Sequence, residues 1–444
     1  MRVLKFGGTS VADAAAIARV VAIVGERRGA RTVVVSALAG VTDALLDTAR
    51  LAAEDPDAAL VAVEALTARH RVVSATFRSD TARRVLEPAL DGIASGAASA
   101  VRAIGSSGAS PAPVDRLLAC GELWSSRLVS AAFVDANVPV QWIDARHVLR
   151  TDGCHGCATP DLASTDKAVT RLVRPALALD RVVVLGGFVG SGPDGATTTL
   201  GRGGSDYSAA VIGACLLADE IEIWTDVDGV LTADPRVVPG ARVMPALSYE
   251  DAETLATFGA KVLHPKTIEP AASREIPMRV LNSRRPAAPG TRIDGSGADT
   301  AGYTAVASRG GLCLAEFTAR DRPAVPGFSA RVLQALEDAQ IAILVGEVHR
   351  DRVSVTVDGA LDADSLRSRV EAFAELRLRD GLSAVCAVGH RLVAPFIVVV
   401  EDRHAHAIVA RLHDSFAPGA TSASGASSAS GASDSVEERA GIAS

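Results

Sequence analysis

The chain has 444 residues, 48 % of them hydrophobic, which is enough for more than one domain with a sizeable core. Its formal net charge is −7 and its pI is about 5.8, so it offers no general basic field for nucleic acid or an anionic membrane. We expect a soluble enzyme of the cytosol. The N-terminal residues do not resemble a signal sequence, and no uncharged apolar run of about eighteen residues occurs elsewhere.

The chain begins with a pattern typical of a strand, a glycine turn and a helix. The strand is predicted over 2–6 and the helix over 12–24. Lys5 lies at the end of this strand, directly before Gly7 and Gly8. A lysine here is either an edge residue that extends its amine into water or a point charge for a phosphate. The adjacent glycines favour the phosphate interpretation.

A second unit of the same kind follows. Three valines in the segment 32–36 predict a strand that ends at Ser36, and small residues then lead into a helix that contains Thr42. Two strand, turn and helix units in succession predict an α/β fold with a mostly parallel sheet. We expect the carboxyl ends of its strands to share one crevice.

A long Ala-rich helical region is predicted over 45–116, broken by a Gly/Ser/Pro patch at 92–113. A new helix is predicted to start at Cys120, which places Glu122 in its first turn. There the carboxylate would either favour the helix dipole or, if buried, receive the ammonium group of a substrate.

The segment 197–208 concentrates hydroxyls, glycines, an arginine and a carboxylate between an apolar strand at 182–190 and a helix at 207–217. A glycine turn before a helix N-terminus is a typical anion site, although an ordinary capped turn is the alternative. Arg202 could hold a carboxylate with two parallel hydrogen bonds. Asp206 could orient a lysine or an ammonium, or cap the helix. Between them lie Gly203, Gly204 and Ser205.

Alternating Ile-Glu-Ile-Trp predicts a strand over 220–224, followed by a polar turn with Asp226 and Asp228. Two carboxylates near a triphosphate suggest Mg²⁺ held mainly through phosphates and water, and the later ligands of an EF-hand are missing. Lys261 would be a second lysine near the same crevice. His264, which precedes a proline, is interpreted as a structural hydrogen-bonding residue.

Six cysteines are scattered along the chain, which suits reduced and mostly structural thiols. Cys154 and Cys157 have metal-ligand spacing with His155 between them. A closed zinc site needs four ligands, however, and no second paired motif occurs. We therefore predict two ordinary thiols in a loop and no metal site there.

The composition changes after residue 300. The segment 312–373 has a βαββα pattern typical of small α+β units that bind amino acids or dimerise. A second unit is predicted over 383–416, with its middle nearly absent. Residues 418–444 are rich in Ser, Ala and Gly and are expected to be disordered.

Six motifs together resemble an aspartate kinase of the amino-acid kinase superfamily, with C-terminal ACT domains. No single motif carries the resemblance, but all six occur in the order that is typical of the family. They are Lys5–Ser10, Val35–Ala37, Gly121–Glu122, Gly201–Asp206, Trp224–Gly229 and Gly259–Pro265.

The resemblance implies an amino-acid-kinase-like α/β fold, a mostly parallel sheet sandwiched by helices, followed by an α+β ACT-like regulatory region. The implied domains are a catalytic domain at 1–295, a first ACT-like domain at 300–378, a truncated second unit at 379–417 and the tail at 418–444. It also implies a cytoplasmic homodimer that associates through the ACT-like region.

The implied activity is transfer of the ATP γ-phosphoryl group, with Mg²⁺, to the β-carboxylate of L-aspartate. A carboxylate is already ionised near pH 7, so positioning and charge neutralisation would suffice. Lys5 would neutralise the moving phosphoryl group and Asp206 would align Lys5. Glu122 would hold the ammonium of aspartate and Arg202 its α-carboxylate. The implied aspartate site comprises Ser36, Thr42, Glu122, Arg202, Gly203, Gly204 and Ser205. The implied ATP site comprises Lys5, Gly7, Gly8, Thr225, Asp226, Leu231, Arg236, Lys261 and Val262, with backbone donors from the two glycines.

Two departures from the family pattern concern regulation. Residues 344–349 replace the Ser-rich effector loop of lysine-inhibited relatives, and the second ACT-like unit lacks its helix and next strand. We therefore expect weak or absent inhibition by lysine or threonine. Two alternatives stay open, a kinase of another acidic amino acid in a specialised pathway and a non-catalytic amino-acid sensor. The ACT-like segment disfavours a nucleotide-monophosphate kinase.

Overall fold

The structure is a computed structural model and describes residues 1–108, 110–260, 262–296, 303–320, 326–359, 361–389, 392 and 394–416. Lys261 and the tail 418–444 lie outside the described residues. The chain divides into two compact units, for which only the described residues are considered below. The first is Met1–Val230, Val243–Ala256 and Lys261–Thr300, and the second is Leu231–Arg242, Thr257–Ala260 and Ala301–Ser444.

An eight-stranded sheet forms the centre of the first unit, in the order β3-β4-β2-β1-β7-β9-β10-β8. All neighbouring strands are parallel except β9 and β10, which are antiparallel. The central strands are runs of buried apolar residues, as expected for a parallel sheet covered on both faces. The strands are β1 (Arg2–Phe6), β2 (Arg31–Val35), β3 (Val140–Trp142), β4 (Val182–Gly186), β7 (Glu220–Thr225), β8 (Ala246–Ser248), β9 (Met278–Asn282) and β10 (Thr291–Asp294), and a separate hairpin comprises β5 (Val189–Ser191) and β6 (Thr197–Thr199).

Ten α-helices and a short 3₁₀ turn at Gly8–Val11 belong to the described part of this region. Several begin at a side-chain cap, such as Asp13, Asp55 and Ser79, whose oxygens accept a backbone N–H of the first turn. The helices are α1 (Ala14–Gly25), α2 (Val41–Glu54), α3 (Pro56–Ser74), α4 (Asp80–Ser107), α5 (Pro111–Asp135), α6 (Ala145–Val148), α7 (Leu162–Ala178), α8 (Gly204–Leu216), α9 (Tyr249–Thr257) and α10 (Pro265–Ala272). His264 caps α10 through Nδ1, which confirms its structural interpretation.

The predicted helix break at 92–113 occurs, but it is much shorter than predicted, because α4 continues as a helix from Asp80 to Ser107 and α5 begins at Pro111. The buried face of α4, with residues such as Leu90, Ala97 and Val101, packs into the core and outweighs the weak helix propensity of its glycines. By length and composition α5 could cross a bilayer, but 83 % of its most apolar window is buried inside the protein. It is a core helix of the unit.

The predicted start of a helix at Cys120 is wrong. Glu122 lies in the middle of α5, far from the dipole of either helix end. The predicted strand 182–190 ends at Gly186, and the chain turns at Phe188, where φ is 64°. The turn follows from close packing, since a Cβ at Gly187 would lie 2.7 Å from Ser205.

The second unit contains one antiparallel five-stranded sheet in the order β12-β13-β11-β14-β15. The strands β11 and β14 have 16 residues each and pair along most of their length. Each contributes residues to two separate apolar clusters of this unit. Its elements are β11 (Thr304–Ala319), β12 (Ile343–Val348), β13 (Arg352–Asp358), β14 (Ala374–Gly389), β15 (Phe396–Glu401), α11 (Phe328–Asp338), α12 (Ala363–Val370) and α13 (Asp402–Ser415).

The predicted starts of the two α+β units therefore lie inside strands. Residue 312, where the βαββα pattern was predicted to begin, lies within β11, and residue 383, where the second unit was predicted to begin, lies within β14. Glycines at 310–311, which favour a turn, instead occupy a register irregularity between two paired stretches of β11. The predicted domain bounds stay a prediction.

Candidate active site

The carboxyl ends of four adjacent parallel strands bring the polar turns of the sequence together. Three backbone hydrogen bonds join these ends: Gly7 N to the Trp224 carbonyl at 3.0 Å, Ser36 N to the Phe6 carbonyl at 3.0 Å, and Gly187 N to the Val35 carbonyl at 2.8 Å. The residues that follow β1, β2, β4 and β7 thus lie side by side at one edge of the sheet. This edge is where ligands of open α/β sheets bind.

Lys5 lies at this edge with its side chain almost fully enclosed. Its Nζ lies 2.6 Å from Oδ1 of Asp206, and the two side chains are only 10 % and 14 % exposed. Nζ also lies 3.6 Å from where a Cβ would be at Gly7. The ammonium is therefore fixed beside the glycine turn, where Asp206 supplies its counter-charge.

The two glycines of the first turn differ in whether their backbone N–H is already hydrogen-bonded. The Gly7 N–H already donates to the Trp224 carbonyl, so it is not free to bind a phosphate in this conformation. The Gly8 N–H makes no hydrogen bond to a described residue. A Cβ at Gly8 would lie 2.9 Å from the Ala37 carbonyl oxygen, which explains why glycine is needed there.

Glu122 is a buried carboxylate with one oxygen unpaired. Its Oε1 accepts the Ala37 N–H at 3.0 Å, while Oε2 is buried and has no hydrogen-bond partner among the described residues. Burial raises the pKa of Glu122 from 4.5 to about 8, and the Ala37 N–H and the charge of Lys5 act in the opposite direction. A cation that reached Oε2 would stabilise the ionised form.

The N-terminus of α8 faces the same edge without a side-chain cap. Gly203 precedes the helix with φ of 70°, and a Cβ on it would lie 2.5 Å from the Cβ of His264. Asp206 lies in the first turn, where the helix dipole favours a carboxylate. Arg202 lies just before the helix, is exposed and makes no ion pair with a described residue. Gly204 and the buried Ser205 are the first two residues of α8, which completes the predicted set on this segment.

Ser36 and Thr42 lie on either side of the turn that joins β2 to α2. Both are half-buried, and the Ser36 carbonyl accepts a hydrogen bond from Ser125 Oγ at 2.7 Å. That bond ties the turn to α5 in the same region as Glu122. Sequence reasoning did not anticipate Ser125, which lies in an apolar helical pattern.

The predicted nucleotide residues fall into two groups. Thr225 is the last residue of β7, the exposed Asp226 follows it, and Val262 lies further along the first unit. Leu231 and Arg236 belong to the second unit, where Arg236 pairs with Asp234. Lys261 lies outside the described residues.

Both carboxylate oxygens of Asp228 already have partners within the protein. Its Oδ1 accepts Asn282 Nδ2 at 2.7 Å, and its Oδ2 pairs with Arg285. The described residues contain no group of three or more His, Cys, Asp or Glu side chains that could hold a metal ion. The exposed Asp226 carboxylate accepts Thr225 Oγ1 at 3.3 Å on Oδ1, and its other oxygen fits an ion that takes most of its ligands from phosphates and water.

A buried carboxylate that the sequence analysis missed supports the loop beside Arg202. Asp115 is 1 % exposed and accepts four hydrogen bonds, from Thr199 Oγ1 at 2.6 Å, His155 Nδ1 at 2.8 Å, Gly156 N at 3.1 Å and Thr199 N at 3.2 Å. The carbonyl of Gly156 lies 3.0 Å from where a Cβ would be at Gly201. The only signal in the sequence is a single Asp within an apolar helical pattern.

Comparison with known proteins places this geometry in context. Residues 1–282 match the model of the Amino acid kinase family. The chain is 34 % identical over 399 residues to lysine-sensitive aspartokinase 3 of Escherichia coli strain K12, across 88 % of this chain and 87 % of that protein. It is 36 % identical over 292 residues to a chloroplastic bifunctional aspartokinase/homoserine dehydrogenase 2 of Arabidopsis thaliana, of which it spans 32 %.

A solved structure of E. coli aspartokinase III in complex with aspartate and ADP, in the R-state, has a similar fold. The TM-score is 0.82 at 31 % identity, over 93 % of this chain and 99 % of that chain. The T-state complex of E. coli aspartokinase III with lysine and aspartate gives a TM-score of 0.74 at 30 % identity, over 94 % of this chain and 100 % of that chain.

Proposed function

This chain belongs to the amino acid kinase family and, within it, to the aspartokinases, and from this membership we propose how its residues carry out the reaction. The protein is an ATP-dependent aspartate kinase, which transfers the γ-phosphoryl group of ATP to the β-carboxylate of L-aspartate. The products are ADP and 4-phospho-L-aspartate. The observation that best supports our residue assignment is the enclosed Lys5–Asp206 pair, close enough to Glu122 for the Lys5 charge to influence its pKa.

Aspartate is recognised as an α-amino acid by two opposite charges. Glu122 receives the ammonium at Oε2, because this buried oxygen has no other described partner. Arg202, which is exposed and free of ion pairs with described residues, holds the α-carboxylate. The uncapped N-terminus of α8 contributes backbone donors from Gly203 and Ser205. The Gly204 N–H already donates to the Gly201 carbonyl at 3.0 Å, so Gly204 shapes the turn, and Ser36 and Thr42 complete the site.

Phosphoryl transfer then needs no general base. The β-carboxylate oxygen attacks the γ-phosphorus, the bond to the bridging oxygen breaks, and ADP leaves with the electron pair. Lys5 neutralises charge on the moving group, and Asp206 holds its ammonium in place as a positioning residue. The Gly8 N–H is a further donor, whereas Gly7 shapes the turn.

The nucleotide binds beside the end of β7. Of the residues that we assign to it, Thr225, Asp226 and Val262 belong to the first unit, Leu231 and Arg236 belong to the second, and Lys261 lies outside the described residues. Asp226 would hold Mg²⁺ together with the phosphates of ATP. When bound, the ion offsets the negative charge of those phosphates.

We further propose that inhibition of this protein by lysine or threonine is weak or absent. The strand β14 ends at Gly389 and β15 begins at Phe396, so only residues 390–395 separate them, too few for an intervening helix and strand. Residues 344–349, in place of a Ser-rich loop, lie mainly on β12. Activity that is halved by low lysine or threonine concentrations would contradict this proposal.

The chain acts as a cytosolic homodimer through its ACT-like region. The strands β12 and β15 are the outer strands of the five-stranded sheet and expose Ile343, Val348 and Ile397. Light scattering should give twice the chain mass of 45.5 kDa. A single-chain mass at micromolar concentration would contradict the dimer.

A substrate panel tests the assignment. ADP release should be rapid with L-aspartate and strongly reduced with N-acetyl-L-aspartate, which lacks the ammonium, and with the α-amide, which lacks the α-carboxylate. A faster rate with a substituted aspartate would favour a kinase of a specialised pathway. ATP binding without turnover on any acidic amino acid would favour a sensor.

A further inference from the structure

A cleft lies on the first unit between α4, α5 and the end of β3, with a volume of about 440 Å³. Its walls include Gly92 and Gly96 from α4, Arg116 and Arg127 from α5, and Trp142, the last residue of β3. A cleft of this size falls in the range of small-molecule sites. None of the residues assigned above to aspartate or ATP lines it.

The charges around the cleft do not balance. Three guanidinium groups, those of Arg116, Arg127 and Arg146, face one carboxylate, Asp144. Arg146 already occupies that carboxylate, with Nε 3.0 Å from Oδ1 and Nη2 2.6 Å from Oδ2. Among the described residues, neither Arg116 nor Arg127 has an acidic group within 4 Å. Within the described part of the chain, the cleft therefore carries two guanidinium groups without an acidic partner, of which Arg116 is exposed.

Arg127 is the more informative of the two. Its guanidinium carbon lies 3.2 Å from the ring centroid of Trp142, and Trp142 Nε1 in turn donates to Ser126 Oγ at 3.0 Å. The hydrogen bond to Ser126 thus holds the Trp142 ring in place beneath the guanidinium group. Burial lowers the pKa of Arg127, although the more distant charge of Asp144 acts against this. A half-buried cation without a close counter-charge is costly, and a bound anion would offset that cost.

Two glycines of α4 are further evidence that this cleft has a role. A glycine inside a helix costs about 1 kcal/mol relative to alanine, so it usually has a packing reason. Gly105 has such a reason, since a Cβ there would lie 2.5 Å from Pro56. At Gly92 and Gly96 a Cβ would meet nothing within 4 Å. These two residues lie four apart on one helix face, and their missing side chains leave the cleft open.

We propose that this cleft binds the oxyanion group of a small metabolite, a phosphate or a carboxylate, at Arg127 beside Trp142. Arg116 lies eleven residues earlier on the same face of α5, about 16 Å along the helix axis, and adds positive charge at the other end of the cleft. The same helix carries Glu122, whose carboxylate accepts the Ala37 N–H. The anion and aspartate would thus both contact α5, and any effect of one on the affinity for the other would be reciprocal. This coupling rests on the proposed role of Glu122, whereas anion binding itself does not.

Fluorescence of Trp142 gives a direct test. The other two tryptophans are fully buried, so Trp142 is the tryptophan best placed to report on this cleft. Inorganic phosphate and succinate are titrated in separate arms into the full chain at constant ionic strength, with KCl as the reference. A saturable change that KCl does not produce is expected in at least one arm, and the stronger arm identifies the class of anion.

Variants decide where the anion binds. We expect Arg127→Gln to weaken binding by about ten- to one-hundred-fold, as for loss of a hydrogen bond to a charged group, and Arg116→Gln to weaken it by less, as for loss of a more distant charge. Filling the cleft with Gly92→Leu and Gly96→Leu should abolish binding without removing a charge, and Ser95→Leu, at a position of α4 outside the cleft lining, is the matched control.

Three results would overturn the proposal. They are no saturable change beyond KCl in either arm, an unchanged affinity in both arginine variants, and full binding in the filled cleft. Because Arg127→Gln also alters the stack on Trp142, its binding is read from the thermal midpoint as well. Aspartate kinase activity of the Arg116→Gln and filled variants shows that they are folded. Failure of aspartate turnover in the parent chain would instead contradict the proposed function.

Discussion

The substitution Glu122→Gln isolates the charge of the buried carboxylate. Glutamine has nearly the same shape, and its amide oxygen can still accept the Ala37 N–H that Oε1 now accepts at 3.0 Å. The difference between 4.5 and about 8 in the pKa of Glu122 corresponds to about 5 kcal/mol against the ionised form in the free protein. We expect the substrate ammonium to offset that cost at Oε2.

Removing one partner of a buried charge pair typically costs about 2–5 kcal/mol. At a pH above about 8, where Glu122 is ionised, kcat/KM for aspartate should therefore fall by about 30- to 5,000-fold in Glu122→Gln. Below that pH the carboxyl of the free parent protein is protonated and must lose its proton to bind the ammonium. The kcat/KM of the parent should then fall about tenfold for each unit by which the pH is lowered. The difference in kcat/KM between the parent and Glu122→Gln should therefore become smaller.

The assay is ADP release at limiting aspartate, from about pH 6 to about pH 9, for both proteins. The variant should lack the acid limb and keep its KM for ATP. An acid limb that persists in Glu122→Gln would refute the reasoning, because another group would then titrate. A loss of kcat/KM in Glu122→Gln that is the same at all pH values would also refute the reasoning.

Unfolding provides an independent check on the same pKa. Because the folded pKa of about 8 lies above 4.5, the folded protein retains a proton that the unfolded chain has released in this window. The contribution of Glu122 to stability is therefore full below pH 4.5 and is lost as pH rises to about 8. Urea unfolding of the substrate-free proteins should show Glu122→Gln gaining stability relative to the parent across this window. A constant difference would contradict the raised pKa.

Three further substitutions test the surrounding geometry. Asp206→Asn should lower kcat by about ten- to one-hundred-fold with little change in KM for aspartate, because Lys5 loses its counter-charge at 2.6 Å, and an unchanged kcat would refute the positioning role. Gly203→Ala should destabilise the fold by more than about 2 kcal/mol in urea unfolding, since φ is 70° and the new Cβ would lie 2.5 Å from that of a neighbouring histidine. Gly29→Ala, with φ of 81° and nothing within 4 Å, is its matched control and should cost only about 1 kcal/mol, so equal losses would argue against the clash. Asp115→Asn should lower the unfolding free energy by about 1–3 kcal/mol and raise KM for aspartate, because a buried carboxylate that accepts four hydrogen bonds loses its charge. An unaltered KM would show that these hydrogen bonds do not support the aspartate site.

The sequence predicts the catalytic sheet well because local pattern and packing agree there. Short apolar runs followed by glycine or serine predict β1 and β2, and the parallel arrangement follows from their repetition with helices. The same agreement places Lys5 beside Gly7 and Asp206 at the start of α8. What sequence cannot supply is the distance between Lys5 and Asp206, which depends on packing across 200 residues.

The misplaced elements share one cause, since tertiary contacts outweigh local propensity. Gly92 and Gly96 weaken α4 locally, yet packing of its other face keeps it helical. The grouping of residues 231–242 with the second unit depends on apolar contacts made by Ala233 and Val238, and on a hydrogen bond from Thr232 to α13. No local pattern in those residues indicates such distant partners.

The most direct test of the account is trapping of the product as a hydroxamate after incubation with ATP, Mg²⁺ and L-aspartate. The parent chain should form aspartyl hydroxamate in proportion to ADP, and so should Lys167→Met, which removes an exposed lysine elsewhere. Lys5→Met should remain folded and bind aspartate but lose at least about a thousandfold in kcat, since the charge that neutralises the moving phosphoryl group is gone. Hydroxamate formation at the parental rate by Lys5→Met, or none by the parent chain, would contradict the account.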